Sequence, residues 1–280
     1  MEGGGFAERG ISPALMGVVN VTPDSFHPNS RSVKSTHAVS RGISMIDDGA
    51  SIIDIGGEST RPGAMPVGVK DELSRTIPVI EGILRERPDA FISIDTSKPG
   101  VAGEALKKGC RMINDVTGAE NKEMIELISD SGAEVCVMHM KGEPRTMQVD
   151  PTYTDVVSEV GDYLGDRVNV LLDAGIPPEH ITVDPGIGFG KRLDDNIALL
   201  KAGRKIVPRE DVGLLWGVSR KRMFLDLLGR ENSNDRLFGT LGVAASAVCS
   251  GVDVLRVHDV AEHADLLKAM TTTIGGLVNE

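Results

Sequence analysis

Eight short apolar runs that each end in a polar residue constrain this chain more than any other feature. Most of the runs are separated by a stretch with helical patterning, and each fits a strand buried on both faces. This alternation predicts eight parallel strands in a (β/α)8 barrel, in which chemistry gathers at the carboxyl ends of the strands. The polar endpoints are Asn20, Asp54, Asp95, Asn114, His139, Asp184, Ser219 and Arg256.

Chain length fits one such barrel. The 280 residues match a single (β/α)8 TIM barrel domain, with 1–14 expected as a flexible lead-in and 15–280 as the barrel. A doubly wound open sheet is the runner-up architecture. It is disfavoured because no G-x-G-x-x-G follows the first strand and no phosphate-binding G-x-x-x-x-G-K-[ST] occurs in the chain.

Charge and composition limit the classes of partner. A net charge of −11 argues against nucleic acid or an anionic membrane, since both demand a basic face. No apolar run approaches the roughly 20 residues of a membrane span. The three cysteines, Cys110, Cys136 and Cys249, are widely spaced and predict reduced thiols in a cytoplasmic protein. A small-molecule partner is therefore expected, and a local basic cluster would still allow it to be an anion.

Three strand endpoints predict a polar pocket in the barrel mouth. Asp95, Asn114 and Asp184 end different strands after apolar runs, and a carboxylate can accept two parallel N–H bonds from an aminopyrimidinone ring. A structural role in capping loops explains any one of these residues. Three at equivalent positions favour a pocket for a ligand with a donor-rich edge.

Basic residues follow strands seven and eight. Lys221 lies in Ser219-Arg220-Lys221-Arg222, which is either a solvated turn or the phosphate site common at this place in barrels. Arg256 and His258 alternate on strand eight and point to the same side. Together with Arg61, these side chains predict a cluster that can neutralise a diphosphate.

The remaining polar endpoints carry weaker signals. Asn20 can offer an amide oxygen to Mg²⁺, which typically keeps several waters and shares ligands with substrate phosphates. One Asn alone is a weak metal signal, and a hydrogen-bonded strand end is the simpler explanation. His139 has no zinc-type spacing around it and is either packed or catalytic. The glycines of 184–191 predict a tight turn beneath a ligand, with Phe189 as an aromatic wall.

Taken together and in order, these motifs give a specific resemblance. Over about residues 15–272 the chain resembles the dihydropteroate synthases, a family of pterin-binding enzymes. The matching segments are 16–26, 54–63, 93–96, 113–116, 138–142, 184–191, 219–221 and 256–260.

The resemblance implies a transferase of folate biosynthesis and a set of roles. Such an enzyme joins 6-hydroxymethyl-7,8-dihydropterin diphosphate to 4-aminobenzoate with Mg²⁺, giving 7,8-dihydropteroate and diphosphate by dissociative substitution. The resemblance implies that the pterin ring is bound by Asp95, Asn114, Asp184 and Lys221 and is covered on one face by Arg256. It implies that the Mg²⁺-bound diphosphate is contacted by Asn20, His258 and Arg61. The aminobenzoate pocket is then shaped by Thr60, Phe189 and the first two loops.

Among these residues, Asp95, Lys221, Arg256 and His258 are expected to be catalytic. The family also implies a homodimer, for which the small-residue helix 241–250 is a plausible interface, and a target for sulfonamides. The endpoints are expected to form an acidic half that faces a basic half across the mouth. Asp54 and His139 are left with no role beyond structure.

Two departures from the family pattern and two rival functions stay open. The first loop reads Phe26-His27-Pro28-Asn29-Ser30-Arg31 where a Ser-Asp-Gly-Gly stretch is common, which affects acceptor binding. Arg222 stands where the family often has Ser, and it either pairs with the acceptor carboxylate or faces solvent. The rivals are a pterin-dependent methyltransferase, which has no use for a diphosphate cluster, and a non-catalytic pterin-binding homologue.

Overall fold

Eight parallel strands close into a barrel in chain order. The computed structural model describes residues 12–21, 29–59, 64–143 and 146–274, without the side chains of 29–34 and 274. The strands are β1 Ala14–Asn20, β2 Ile52–Gly56, β3 Ile92–Asp95, β4 Met112–Asp115, β5 Glu134–Met138, β6 Ile181–Asp184, β7 Gly213–Trp216 and β8 Val254–Val257. Pairing of β1 with β8 closes the sheet. The (β/α)8 prediction is confirmed, and the doubly wound open sheet is wrong.

Helices surround the barrel on its outer face. They are α1 Asn29–Asp47, α2 Val69–Glu86, α3 Pro99–Lys107, α4 Lys122–Ser131, α5 Val156–Asp173, α6 Leu193–Ala202, α7 Met223–Leu228, α8 Leu237–Cys249 and α9 Val260–Ile274. Pro99 opens α3 in the first turn, as its fixed φ and missing N–H predict. Gly175, just beyond α5, has a φ of +85°, a left-handed helix end of the kind that a glycine after a helical pattern predicts.

Two helix predictions differ from the structure. The prolines and Asn29 in residues 21–33 predict a loop over that whole stretch, but α1 already begins at Asn29. The sequence after strand seven predicts a charged loop, yet the structure has the short helix α7 there. The basic turn at 219–222 gives this region its loop-like composition and conceals the six-residue apolar helix that follows.

The barrel interior is packed below the mouth. Its centre is filled by side chains from alternate positions of several strands, namely Met16, Ile52, Met112, Cys136, Leu215 and Val254. A larger apolar layer lies between the strands and the helices. The polar endpoints therefore stand on an apolar plug at one end of the barrel. None of the helices that the structure describes is long and apolar enough to cross a bilayer.

Candidate active site

The strand register aligns three of the predicted site residues. Asn20 pairs with Gly56, Gly56 with Asp95, and Asp95 with Asn114, so that one row crosses four neighbouring strands. Gly56 leaves a gap in this row, because a Cβ there would lie 3.7 Å from the Asn20 Oδ1 and 3.5 Å from the Asp95 Oδ2. The row thus brings oxygen atoms of Asn20 and Asp95 to the side of Gly56 that carries no side chain.

Arg256 reaches across the mouth to this row. Its Nε donates to the Asp54 Oδ2 at 2.6 Å, and its Nη2 donates to the Asp95 Oδ2 at 2.5 Å. The Asp54 Oδ2 also accepts from the Asn114 Nδ2 at 3.0 Å. Asp54 is fully buried, and its Oδ1 has no hydrogen-bond partner among the described residues. Two carboxylates therefore hold the guanidinium, and the Asn114 amide in turn holds one of them, Asp54.

This arrangement corrects the expected separation of charges. Arg256 was assigned to a basic half facing Asp95, but the two form a direct ion pair. Burial raises the pKa of Asp95 to about 7, although Arg256 opposes the shift. Burial also works against the charge of Arg256, yet Asp54 and Asp95 outweigh it and raise the pKa of Arg256. Before any ligand binds, the positive charge in the mouth is already balanced by carboxylates.

Asp184 and Lys221 form the second charged group of the mouth. A Cβ on Gly217 would lie 3.5 Å from the Asp184 Oδ2, 3.8 Å from the Lys221 Nζ and 4.0 Å from the Arg256 Cβ, so these side chains converge over a missing one. The Asp184 Oδ1 accepts the Gly186 N–H at 2.7 Å. Burial raises the pKa of Asp184 and lowers that of Lys221 to about 8, and each side chain partly offsets the shift of the other.

His258 is held by Ser219 at the end of β7. The Ser219 Oγ lies 3.1 Å from the His258 backbone N, which donates to it, and 3.0 Å from the ring Nδ1. A hydroxyl that accepts the N–H can give its own hydrogen to Nδ1, which favours the Nε2–H tautomer. Burial and then Arg256 lower the pKa of His258 to about 4. In the free protein His258 offers a hydrogen-bond donor, whereas the sequence predicted a positive charge.

The glycine-rich segment forms a tight loop against the end of β5. Gly186 has a φ of +68°, and a Cβ there would lie 1.9 Å from the His139 carbonyl oxygen, so only glycine fits. Lys191 is buried beneath this loop, with its Nζ 2.9 Å from the His139 Nδ1. Burial and then Lys191 lower the pKa of His139 to about 3, and burial lowers the pKa of Lys191 to about 7.

Phe189 lies next to Lys221, whereas two further predicted site residues have no described position. The Lys221 Nζ stands 4.5 Å from the centre of the Phe189 ring. Thr60 and Arg61 lie outside the described residues, as does most of the unusual first loop. Arg222 is exposed, which leaves both interpretations of its role open.

Two buried residues were missed as members of the site. Asp54 was noticed as an endpoint but received no role, because its partner Arg256 belongs to the last strand of the barrel. A carboxylate inside an apolar run was the available signal, since burial without a cation is costly. The sequence gives little sign that Lys191 is buried, because a lysine after Gly-x-Gly is usually solvent-exposed. In the structure the residue is only 3% exposed.

Comparison with known proteins identifies relatives along nearly the whole chain. The sequence profile described as pterin binding enzyme matches residues 16–258. Among curated proteins, the dihydropteroate synthase of Escherichia coli K12 is 42% identical over 268 residues, covering 96% of this chain and 94% of that protein.

Solved structures give the same result. Yersinia pestis dihydropteroate synthase with a sulfonamide drug complex superposes with a TM-score of 0.87 at 36% identity, covering 94% of this chain and 95% of that one. Burkholderia cenocepacia dihydropteroate synthase complexed with 7,8-dihydropteroate gives 0.86 at 41% identity, with 98% and 94% covered. Both the sequence and the barrel therefore match these relatives over nearly the whole of each chain.

Proposed function

The chain belongs to the dihydropteroate synthases of the pterin-binding enzyme family, and from this premise we propose how its barrel mouth performs the reaction. The enzyme is a transferase that joins 6-hydroxymethyl-7,8-dihydropterin diphosphate to 4-aminobenzoate. The observation that carries the mechanism is the convergence of Asp184, Lys221 and Arg256 over Gly217.

Asp184 and Asn114 bind the pterin ring from the floor of the mouth. The carboxylate of Asp184 accepts two parallel N–H bonds from the aminopyrimidinone edge, and the Lys221 ammonium donates to the acceptor atoms of the ring. Asn114 is oriented for this role by its bond to Asp54. Arg256 covers the ring face, since its guanidinium is held in place by Asp54 and Asp95.

The diphosphate leaves before the new bond is complete. The bond between the exocyclic methylene carbon and the diphosphate oxygen breaks, and its electron pair departs with the diphosphate. The electron-rich dihydropterin delocalises the resulting cation, and Asp95 stabilises it through charge. The nitrogen of 4-aminobenzoate then attacks the carbon and loses one proton to the released diphosphate or to water. Because an arylamine is largely unprotonated at neutral pH, no strong catalytic base is required.

His258 and Arg61 contact the departing diphosphate in this scheme. The Nε2–H of His258 donates to a phosphate oxygen, as the bond from Ser219 to Nδ1 favours. Arg61 adds charge from the second loop. Thr60 and Phe189 shape the pocket for 4-aminobenzoate, with the Phe189 ring beside Lys221 as one wall.

The gap above Gly56 suits Mg²⁺ bound together with the diphosphate. The Asn20 Oδ1 faces this gap, and an amide oxygen is an appropriate ligand for a hard cation. The described residues contain no group of three His, Cys, Asp or Glu side chains able to hold a metal by themselves. Asn20 would therefore hold an ion that shares its remaining ligands with phosphate and water. Bound there, Mg²⁺ would neutralise negative charge that develops on the leaving group.

The enzyme is proposed to act as a homodimer through the face of α7 and α8. Phe238 is 84% exposed, and Leu227 and Leu228 are about half exposed on the neighbouring helix, at 47% and 49%. Exposed apolar groups of this kind favour burial against a second copy.

A cytoplasmic location is supported by Cys110 and Cys136, which are buried and unpaired. Sulfonamides are expected to compete with 4-aminobenzoate, as the drug complex of the Yersinia relative suggests.

A coupled assay of diphosphate release tests the proposed function. Release is expected only when both dihydropterin diphosphate and 4-aminobenzoate are present, with 7,8-dihydropteroate formed in equal amount. Pterin binding by calorimetry without diphosphate release would indicate a homologue that has lost turnover. Methyl transfer from a methylated folate is expected to be undetectable.

A further inference from the structure

Five consecutive backbone carbonyls of the loop between β6 and α6 accept hydrogen bonds from side chains. We call this set of contacts the carbonyl clasp. Its donors and acceptors are Lys191 to Gly186 O at 3.0 Å, Lys221 to Ile187 O at 2.5 Å, Gln148 to Gly188 O at 2.6 Å, Lys191 to Phe189 O at 3.0 Å and Tyr153 to Gly190 O at 2.8 Å. The clasp fixes a segment that belongs to neither a helix nor a strand.

Lys191 is the inner anchor of the carbonyl clasp. Its Nζ bonds two of the five carbonyls and also lies 3.3 Å from the His139 carbonyl oxygen and 2.9 Å from the His139 Nδ1. The residue is 3% exposed, so water cannot take over these bonds if the amino group is removed. One side chain therefore fastens the loop to the end of β5.

The position of Lys221 depends on that loop. Its Nζ donates to Ile187 O, which lies between the two carbonyls that Lys191 holds. The same Nζ stands 4.5 Å from the centre of the Phe189 ring. A shift of the loop would therefore move both the oxygen and the ring against which the Lys221 ammonium is placed.

We propose that Lys191 is a positioning residue for the reaction, which sets the place of Lys221 and Phe189 through the carbonyl clasp before the pterin binds. The inference rests on the proposed function, because the dihydropterin is the ligand whose binding would depend on where Lys221 and Phe189 lie. The ligand does not have to order a loop that is already formed. The free energy that this ordering would cost is therefore not subtracted from the binding free energy, and the affinity is higher. Lys191 itself touches no substrate in this scheme.

The test is Lys191→Met, which keeps much of the length of the side chain and removes its amino group. Affinity for dihydropterin diphosphate is measured by calorimetry, and KM and kcat are measured for both substrates. We expect the pterin Kd and KM to rise about tenfold or more, with kcat reduced less than about threefold. A purely structural lysine would lower the melting temperature and leave this KM unchanged.

Arg204→Met is the matched control at the opposite end of the barrel. Arg204 also collects backbone carbonyls, bonding Gly251 O at 3.1 Å and Val212 O at 2.6 Å. Its removal is expected to lower stability without changing the Kd or KM for the pterin. Equal pterin affinity in Lys191→Met, Arg204→Met and the parent enzyme would overturn the proposal. Absence of turnover in the parent enzyme would instead count against the proposed function.

A second variant tests the clasp if Lys191→Met does not fold. The double substitution Gln148→Met, Tyr153→Phe removes two donors from the outer side of the same loop and leaves Lys191 in place. We expect its pterin Kd to rise about threefold or more. Unchanged affinity in this folded variant would show that the clasp does not set the place of Lys221.

Discussion

The Nε of Arg256 lies 2.6 Å from the Oδ2 of Asp54, although 202 positions separate the two residues in the chain. The same oxygen accepts from Asn114. Through these two hydrogen bonds Asp54 fixes the orientation of Arg256 and Asn114, both of which are proposed to bind the ligand. Because Asp54 is fully buried, the ligand cannot reach it directly. The mouth is thus organised around a carboxylate that a ligand does not need to touch.

Replacing Asp54 by Asn tests this organisation. The substitution removes the negative charge below Arg256 while keeping the shape of the side chain, so the guanidinium loses one of its two carboxylate partners. We expect the free energy of unfolding, measured by urea denaturation, to fall by about 3 kcal/mol. Asp47→Asn is the control, since the ion pair of Asp47 with Arg87 is exposed and its loss should change stability by less than about 1 kcal/mol. Equal small effects for the two variants would argue against a central role for Asp54.

Substitution of Asp184 by Ala is expected to weaken pterin binding. The change leaves the donors of the ring unpaired in a buried pocket, which costs about 1–3 kcal/mol or more, or roughly fivefold to above a hundredfold in Kd. Calorimetric titration with the pterin provides the measurement. Asp166→Ala, on the exposed side of α5, should bind normally. Near-normal affinity in the Asp184 variant would remove this residue from the pterin site.

Activity should depend on pH through Asp95 and Lys221. Burial lowers the pKa of Lys221 to about 8, so its ammonium is lost as the pH rises through that value. Burial raises the pKa of Asp95 to about 7, so its negative charge is lost as the pH falls through that value. We expect kcat/KM for the pterin substrate to be highest between about pH 7 and 8 and to fall on both sides.

The variant Lys221→Ala assigns the alkaline limb of that profile. Its residual kcat/KM should be far below that of the parent enzyme and should no longer decline near pH 8, while its circular dichroism spectrum stays unchanged. A decline of the same midpoint in the variant would mean that another group controls the alkaline side.

Asn20→Ala should increase the magnesium requirement. If the amide oxygen is a ligand, its loss raises the Mg²⁺ concentration at half-maximal activity by roughly tenfold or more. Asn169→Ala, at an exposed position of α5, serves as the control and should titrate as the parent does. Superimposable Mg²⁺ titrations for all three proteins would exclude Asn20 from the metal site.

Much of the architecture could be predicted from the sequence because strand endpoints repeat a local pattern. Asn20, Asp95 and Asn114 each follow an apolar run, and the barrel register places them in one row. The short helix α7 could not be predicted, because the basic turn before it and its six-residue length hide its periodicity.

The electrostatic pairing in the mouth could not be predicted from the chain. Arg256 could have paired with any carboxylate at the carboxyl ends of the strands, and barrel closure selects Asp54 and Asp95. The charge of His258 could not be predicted for a similar reason. Its pKa is lowered by burial and by the nearby Arg256, and neither effect is visible in the sequence. Such effects depend on distances between residues that are far apart in sequence.

The buried position of Asp54 also affects how the enzyme can escape an inhibitor. A substitution at Asp54 is expected to disturb Arg256 and Asn114 together and to lower the free energy of unfolding. A variant that gained resistance in this way would therefore be less stable. Exposed rim positions such as Arg222 can change without that loss of stability. Compounds that engage the side chains tethered to Asp54 should therefore select resistant variants more slowly than compounds that depend on the rim.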